Sequence, residues 1–230
     1  RKDFWMDGFY MFFNFFLFSL IGYNALSDVG VNLFKDFLAL FGINNMVAIS
    51  VAQWPQWTQM ILLFLLADFI QWNVHRWLHK YPWLWEFHKV HHSVEEMGFA
   101  AHLRYHWMEN IFYKSALFIP LSMIGFGIDK IFIVHIVAIA IGHLNHSNLN
   151  ITWGPLKYLL NNPAMHIWHH AEEIPKGSYG VNFGISLSIW DYIFKTAWIP
   201  SSGRDIRLGF PGLVKFPKTF FRQLIYPFRR

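Results

Sequence analysis

Clustered histidines are the residues of this chain most able to do chemistry. The 230 residues include 13 histidines, and most of these fall in short groups. The grouped residues are His75 and His79 (HxxxH), His88, His91 and His92 (HxxHH), His166, His169 and His170 (HxxHH), and the pair His143 and His146. Within each of the three larger patterns the first and last imidazoles are four residues apart, which places both on one face of a helix. The convergence of such helices predicts a centre able to enclose two metal ions.

The chemistry of this centre must rest on nitrogen and oxygen ligands, because the chain has no cysteine. Neutral imidazole binds Fe, Zn, Cu and Ni, and it adds no negative charge that would weaken the Lewis acidity of the ion. Each motif alone is weak, but two copies of HxxHH with HxxxH just upstream of one copy are hard to explain by chance. Metal binding would also join separate helices.

Other polar residues near these motifs have two interpretations each. Asp68 lies seven residues, or two helical turns, before His75. It could orient a ligand histidine through a hydrogen bond, or it could form a helix–helix contact or pair with Arg76 or Arg104. His102 and His135 lie outside the patterns and are more typical of buried histidines with hydrogen-bond partners.

The composition predicts that the elements carrying these residues contact lipid. Only 14% of the residues are charged and 54% are hydrophobic, whereas soluble domains have about 25% charged residues. The net charge is +5. Because the basic residues flank apolar segments, we expect anionic lipid head groups as their partner and no nucleic acid.

Apolar segments then predict the architecture, since a membrane-spanning helix needs about 20 mostly apolar residues. The candidates are Phe4–Leu26, Gln59–His79, Ile111–Ile128 and Ile131–His146. The last two would form a hairpin, and Val31–Val51 would be amphipathic or re-entrant. Most basic residues fall in 79–110 and 147–230, which the positive-inside rule places in the cytoplasm. We therefore expect one all-α integral membrane domain over 1–230, with about four transmembrane helices and a cytoplasmic helical cap that carries the di-metal site.

The three histidine patterns, in this order, resemble those of the fatty acid hydroxylase/sterol desaturase superfamily. Further similar stretches are His91-His92-Ser93 with Glu95, Leu103–His106, His146–Asn148, Asn162-Pro163, Tyr179–Asn182 and Ile189–Phe194. Ser178 and Lys195 depart from the family pattern, but both lie outside the ligand set. The resemblance extends over 68–199 and is greatest for the bacterial sterol-desaturase-like proteins.

This resemblance implies a membrane-bound, non-haem di-iron enzyme that uses O2 to hydroxylate or desaturate a C–H bond of a sterol, fatty acyl or related lipid. Zinc could replace the two irons in a purified sample. The implied ligands are His75, His79, His88, His91, His92, His166, His169 and His170, with His146 as the family's additional histidine and His143 as a tenth candidate. His106 matches a recurrent family position and is expected behind the ligands.

The resemblance also implies partners and a location. The lipid substrate would come from the bilayer, and electrons would come from a separate protein of the cytochrome b5 or ferredoxin type. Arg76, Lys80, Lys89 and Arg104 could dock an acidic donor, or they could serve only as positive-inside anchors. The active site would face the cytoplasm, at the bacterial inner membrane or, in a eukaryote, the endoplasmic reticulum.

Three alternatives fit the sequence less well. A zinc intramembrane hydrolase usually has three protein ligands and a general base such as the Glu of HExxH, and none of the three patterns encloses a Glu. A histidine-rich metal-binding or transport protein usually has broken helices and repeats around a midplane site. A bis-histidine haem protein needs two well-separated histidines rather than dense clusters. Metal analysis and an absorption spectrum would distinguish the four.

Overall fold

The computed structural model describes residues 3–15, 23–45, 47, 50–203 and 205–229, and within them the regular structure is helical. The α-helices are α1 (Phe4–Phe12), α2 (Tyr23–Ala39), α3 (Gln56–Lys80), α4 (Pro82–His92), α5 (Trp107–Met123), α6 (Ile128–Asn145), α7 (Pro163–His169), α8 (Ile189–Ile193) and α9 (Phe220–Ile225). Short 3-10 helices span Phe99–Leu103, Gly154–Tyr158, Leu213–Lys215 and Tyr226–Phe228. The helical part of the predicted fold agrees with this structure.

A sharp corner joins α3 to α4. Pro82 begins α4, where its missing N–H costs nothing and its fixed φ suits the helix. The residue before a proline is disfavoured in the α conformation, and Tyr81 is extended, with φ −96° and ψ 119°. The chain therefore turns at once, and α4 packs back against α3. This corner brings the HxxxH histidines of α3 next to the first HxxHH histidines of α4.

Helices α5 and α6 form the expected hairpin. They are joined by a turn at Gly125, whose φ of +78° falls in the left-handed region that favours glycine. Both helices pack against α3, and the three bury a common apolar core. Its members on these helices are Leu63, Ala67, Leu117, Phe118, Leu121, Ile131 and Val134. In α3 and α6 this core lies in the N-terminal half of the helix, and the histidines lie toward the C-terminal end.

Buried amides and carboxylates order the chain around α7 and α8. The Asn162 side chain caps α7 by accepting a hydrogen bond from the Met165 N–H at 2.9 Å. The Asn161 amide donates to the Gly184 carbonyl at 2.6 Å. The Asp191 carboxylate accepts from the Phe183 and Gly184 N–H groups at 2.9 and 2.7 Å. Two further bonds hold residues 181–187 against α7 and α3: the Asn182 amide donates to the Met165 carbonyl, and the Ser186 N–H donates to Asp68.

The prediction of about four membrane-spanning helices is wrong. Among the helices within the described ranges, none combines the length and the apolar character needed to cross a bilayer. α3 has 25 residues, but it turns Asp68, Gln71 and His75 into the protein interior. α5 has 17 residues and buries Glu109 and Lys114. The composition of these segments is apolar, but polar side chains recur along them because their inner faces line a polar site.

The predicted division of the chain into membrane-spanning helices and a separate cap that carries the site is also wrong. Two predicted spans, Gln59–His79 and Ile131–His146, correspond to α3 and α6, and these helices themselves carry site histidines. In the predicted first span, Phe4–Leu26, residues 16–22 lie outside the described residues, as do residues 46, 48 and 49 of the weaker segment Val31–Val51. The cytoplasmic placement of the site stays a prediction.

Candidate metal centre

Nine histidine side chains converge in two groups between α3, α4, α6 and α7. The first group is His75, His79, His88, His92 and His169, and the second is His91, His146, His166 and His170. In each group, one ring nitrogen from every member lies within 4.8 Å of those of the others. All members are buried except His79, which is partly exposed. All nine are among the ten predicted ligands.

The two HxxHH patterns are divided between the groups in opposite ways. On α4, the i and i+4 residues His88 and His92 join the first group, and His91 joins the second. On α7 the arrangement is reversed, because His169 joins the first group while the i and i+4 residues His166 and His170 join the second. The groups adjoin, since the His92 and His170 rings stack with centroids 4.4 Å apart. Each HxxHH helix therefore serves both groups.

Hydrogen bonds at Nδ1 fix the orientation of several rings. Backbone carbonyls lie 2.7–3.0 Å from Nδ1 of four histidines. The pairs are His75 with Phe183, His91 with Arg104, His146 with Gly142 and His169 with Val181. A carbonyl only accepts, so each Nδ1 carries the proton and each neutral ring presents a lone pair on Nε2. Such partners behind a ligand histidine are the usual way in which proteins orient it.

The Nε2 atoms converge in a way that hydrogen bonding does not explain. Nε2 of His146 lies 3.2 Å from Nε2 of His91 and 2.9 Å from Nε2 of His166. Because both His91 and His146 donate from Nδ1, their Nε2 lone pairs face each other. Two ligands bound to one ion at about 2.1 Å and at right angles would lie roughly 3.0 Å apart. The observed separations therefore fit ligands of a shared ion.

Unpartnered nitrogens give the same indication in both groups. Nε2 of His79 and Nε2 of His88 are buried without a hydrogen-bond partner among the described residues, as are both ring nitrogens of His170. Leaving a buried polar atom unsatisfied costs about 1–3 kcal/mol. Burial also lowers the pKa of His75 to about 4 and that of His91 to about 3. These rings are therefore neutral at pH 7, the state in which imidazole binds a metal.

Glu109 contacts a histidine of the first group, and the sequence analysis did not single it out. Its Oε2 lies 2.7 Å from Nδ1 of His88, and its Oε1 accepts from the His106 N–H at 3.1 Å. Burial raises the pKa of Glu109 and lowers that of His88. The available signal was His-x-x-Glu before an apolar run, which resembles a capping box. That pattern predicts the helix start but not the contact with His88, 21 residues earlier.

His106 and Asp68 support the centre less directly than predicted. His106 caps α5, with Nδ1 accepting from the Met108 N–H at 3.1 Å and Nε2 donating to the Leu224 carbonyl at 2.8 Å. The Asp68 carboxylate accepts from the Ser186 N–H at 3.0 Å and from the Trp190 indole at 2.9 Å. Its hydrogen bonds therefore go neither to a histidine of the two groups nor to Arg76 or Arg104. The loop that it anchors leads back to Phe183, whose carbonyl holds His75.

His143 and Arg104 also differ from their expected positions. His143 lies outside both groups, with Nδ1 hydrogen-bonded to the Phe99 carbonyl at 2.7 Å and its ring against His102. Arg104 is buried and forms ion pairs with Asp3 at 2.6 Å and Asp7 at 2.9 Å. Arg104 is therefore not available on the surface to dock a partner. Its backbone carbonyl instead positions His91.

A cavity of about 120 Å³, partly open to the surface, adjoins the histidine groups between α3, α5 and α6. His75, His88, His91, His146 and His166 form one part of its wall. Leu117, Ala138 and Ile139 form an apolar part, and Lys114 and His135 add polar groups. A largely apolar cavity with a few polar groups is typical of a small-molecule site.

Comparisons with known proteins identify related sequences. The sequence model of the family described as "Fatty acid hydroxylase" matches residues 60–196. The ornithine lipid hydroxylase OlsE of Rhizobium tropici is 33% identical over 178 residues, which are 77% of this chain and 53% of that protein. The alkylglycerol monooxygenase of Caenorhabditis elegans is 32% identical over 148 residues, which are 61% of this chain and 27% of that protein.

The alkylglycerol monooxygenase of Xenopus tropicalis is 30% identical over 161 residues, covering 66% of this chain and 33% of that protein. The chain thus spans about half, or less, of the length of these curated relatives. No solved structure matches the chain. The matched region contains the three larger histidine patterns and His146.

Proposed function

The chain belongs to the fatty acid hydroxylase family, and from this premise we propose that it is a lipid hydroxylase whose two histidine groups hold two iron ions and use O2. The observation that carries the proposal is the convergence of nine histidines beside a largely apolar cavity, with the Nε2 lone pairs of His91 and His146 facing each other. Bound iron supplies the one-electron and O2 chemistry that an unactivated C–H bond requires. Histidine-only ligation suits iron but also accepts zinc.

The relatives favour hydroxylation over desaturation. One is named as a hydroxylase of ornithine lipid and two as monooxygenases of alkylglycerol. Both names describe insertion of oxygen into a lipid. Desaturation would use the same ligands, so the products must be compared directly. We propose hydroxylation of an amphiphilic lipid as the activity of this chain.

The residues of the chain would contribute positioning and exclusion of water. Backbone carbonyls and Glu109 hold the imidazoles in one orientation. Leu117, Ala138 and Ile139 offer an apolar surface for a hydrocarbon chain next to the histidines. A dry, shaped cavity protects reactive species from side reactions. Selection of the reacting carbon would follow from how far the lipid can enter.

We further propose that the protein works at a lipid surface with a separate electron donor. Large apolar side chains are exposed on several helices, with Trp5 and Leu40 each 82% exposed and Trp57 68% exposed. Exposed apolar groups in such number are typical of contact with lipid or another protein. Arg76, Lys80 and Lys89 remain candidates for docking an acidic donor.

The proposal is tested by lipid mass spectrometry of cells with and without the gene, grown under 18O2. The expected result is a lipid that gains one labelled oxygen only when the gene is present. Formation of an alkene without oxygen would replace hydroxylation by desaturation. A product that forms without label incorporation, or in protein stripped of iron and loaded with zinc, would overturn the proposal.

A further inference from the structure

A tryptophan packs against the first histidine group from outside the cavity. Trp85 of α4 precedes His88 by three residues and His92 by seven, so all three lie along one side of the helix. Its ring centroid is 5.0 Å from that of His79, 5.2 Å from that of His92 and 6.0 Å from that of His88. Trp85, His79 and His92 do not belong to the cavity wall. The group therefore has two approaches, one through the cavity and one past Trp85.

Trp85 is partly exposed, so its indole extends from the protein surface to the imidazoles. His79 is also partly exposed, whereas the other four members of the group are buried. Phe183, which likewise contacts His75 and His79, is fully buried. Electron transfer slows steeply as the distance between a carrier and a metal site grows, and an aromatic ring conducts an electron better than an aliphatic side chain. Trp85 therefore offers an external electron carrier a short path to these histidines through one aromatic ring.

The surface beside Trp85 is basic. Segment 205–229 packs against α4 through Phe210, Phe216 and Phe220, and the Phe210 ring lies 5.8 Å from that of Trp85. Opposite charges steer protein partners together and speed their association. The segment therefore suits a carrier with an acidic surface. Its five basic residues are all exposed and stand against one acidic residue, Asp205; they are Arg207, Lys215, Lys218, Arg222 and Arg229.

We propose that Trp85 is the entry point for electrons, and that an acidic one-electron carrier protein docks on segment 205–229 and passes electrons through the indole to the first histidine group. In each transfer the carrier loses one electron and an Fe(III) held by this group becomes Fe(II), while no covalent bond forms or breaks. The inference rests on the proposed function, because it takes the group to hold iron. It adds the place where the donor binds, away from the cavity that would hold the lipid.

The test is anaerobic stopped-flow reduction of the Fe(III)-loaded protein in neutral detergent, without substrate. Reduced plant-type ferredoxin serves as the acidic carrier, and dithionite serves as a small reductant that needs no docking. Trp85→Leu should lose most of the ferredoxin-driven rate while keeping its iron content and its dithionite-driven rate. Trp85→Phe keeps a ring and should lie between this variant and wild type. Trp83→Leu is the matched control, because Trp83 is 61% exposed on the same helix and its ring lies against Phe112.

The basic segment is tested without altering Trp85. Lys215→Glu combined with Arg222→Glu should slow reduction by ferredoxin about tenfold at low salt, because it reverses two charges that attract the carrier. The dithionite-driven rate should stay unchanged. Val214 and Phe221 of the same segment are 80% and 75% exposed and would also suit a bilayer, so binding to anionic lipid vesicles is measured with the same variant. Weaker vesicle binding with unchanged ferredoxin reduction would assign this surface to lipid and overturn the proposed docking.

Two outcomes with Trp85→Leu would overturn the entry point. One is reduction by ferredoxin as fast as in wild type, and the other is equal slowing with both reductants, which would assign Trp85 to packing alone. If Trp85→Leu loses its iron, Trp85→Phe and the charge-reversal variant decide, since both keep an aromatic ring at this position. Trp85-dependent reduction in a protein without hydroxylase activity would reject the proposed function alone, whereas hydroxylation with reduction that ignores Trp85 would reject the entry point alone.

Discussion

Glu109 Oε2 lies 2.7 Å from Nδ1 of His88, and both side chains are at most 4% exposed. This buried pair links the start of α5 to a histidine of the first group on α4. The same carboxylate also accepts the backbone N–H of His106. One side chain therefore both starts a helix and orients a histidine that we propose as a ligand.

Removing this carboxylate should weaken metal binding. Glu109→Ala is expected to lower iron affinity or activity about 10- to 100-fold, as is usual when the group behind a ligand histidine is lost. Glu109→Gln keeps a hydrogen-bond acceptor and should lie between this variant and wild type. Iron content and hydroxylation rate are the measurements. Glu86→Gln alters a glutamate of α4 that pairs with Lys89 instead, and it should leave the iron content unchanged.

His143 and His146 form a matched pair for testing the limits of the centre. His146 belongs to the second group, whereas His143 lies outside both groups. His146→Ala is expected to reduce bound iron and abolish hydroxylation, while His143→Ala should retain two irons per chain. Metal analysis of both purified variants checks this. Loss of iron in the His143 variant equal to that in the His146 variant would return His143 to the ligand set.

The pairing of Arg104 with α1 predicts that the N-terminal helix stabilises the centre. Asp3 and Asp7 both bind the Arg104 guanidinium, and the Arg104 carbonyl holds His91. Asp7→Asn leaves a buried charge less compensated, so we expect a loss of about 3 kcal/mol in the free energy of unfolding. Iron content should fall with it. Denaturant unfolding measures the change, and Asp205→Asn, at an exposed position, should be within about 0.5 kcal/mol of wild type.

Acid should destabilise the protein partly through His106, which lies outside both histidine groups. Burial lowers the pKa of His106 from 6.5 to about 4. Between these values the unfolded chain binds the proton and the folded chain does not, so stability present above pH 6.5 is lost as the pH falls toward 4. The contribution is roughly 3 kcal/mol at most. His106→Asn keeps a side chain able to cap α5 but does not titrate.

Thermal unfolding from pH 7 to pH 4.5 therefore compares wild type with His106→Asn. The variant should lose less stability over this interval. An identical loss in both proteins would mean that the His106 cap tolerates protonation.

The grouping of histidines within one pattern was predictable, because helix periodicity alone brings i and i+4 residues together. His88 and His92 do share a group, as do His166 and His170. The division of each pattern between two groups was not predictable, because it depends on how α4 and α7 approach each other. The role of Glu109 was missed for a similar reason, since its contact with His88 arises from tertiary packing.

The predicted spans were wrong because the mean hydropathy of a segment does not show whether its polar side chains point into the protein or outward. Asp68 of α3 was predicted to meet a ligand histidine, another helix or an arginine. In the structure it lies on the buried face of α3 and accepts hydrogen bonds from Ser186 and from Trp190 of α8. A single sequence does not show which partner a buried carboxylate will meet. The family resemblance predicted which histidines lie together but not the contacts of Asp68 and Glu109 around them.

Anaerobic titration of the metal-free protein with Fe(II) tests the central claim most directly. Two histidine groups that each hold an ion predict saturation at two irons per chain, with His146→Ala reducing the number bound. Saturation at one iron, or two irons bound equally well without His146, would contradict the assignment of the groups as a di-iron centre.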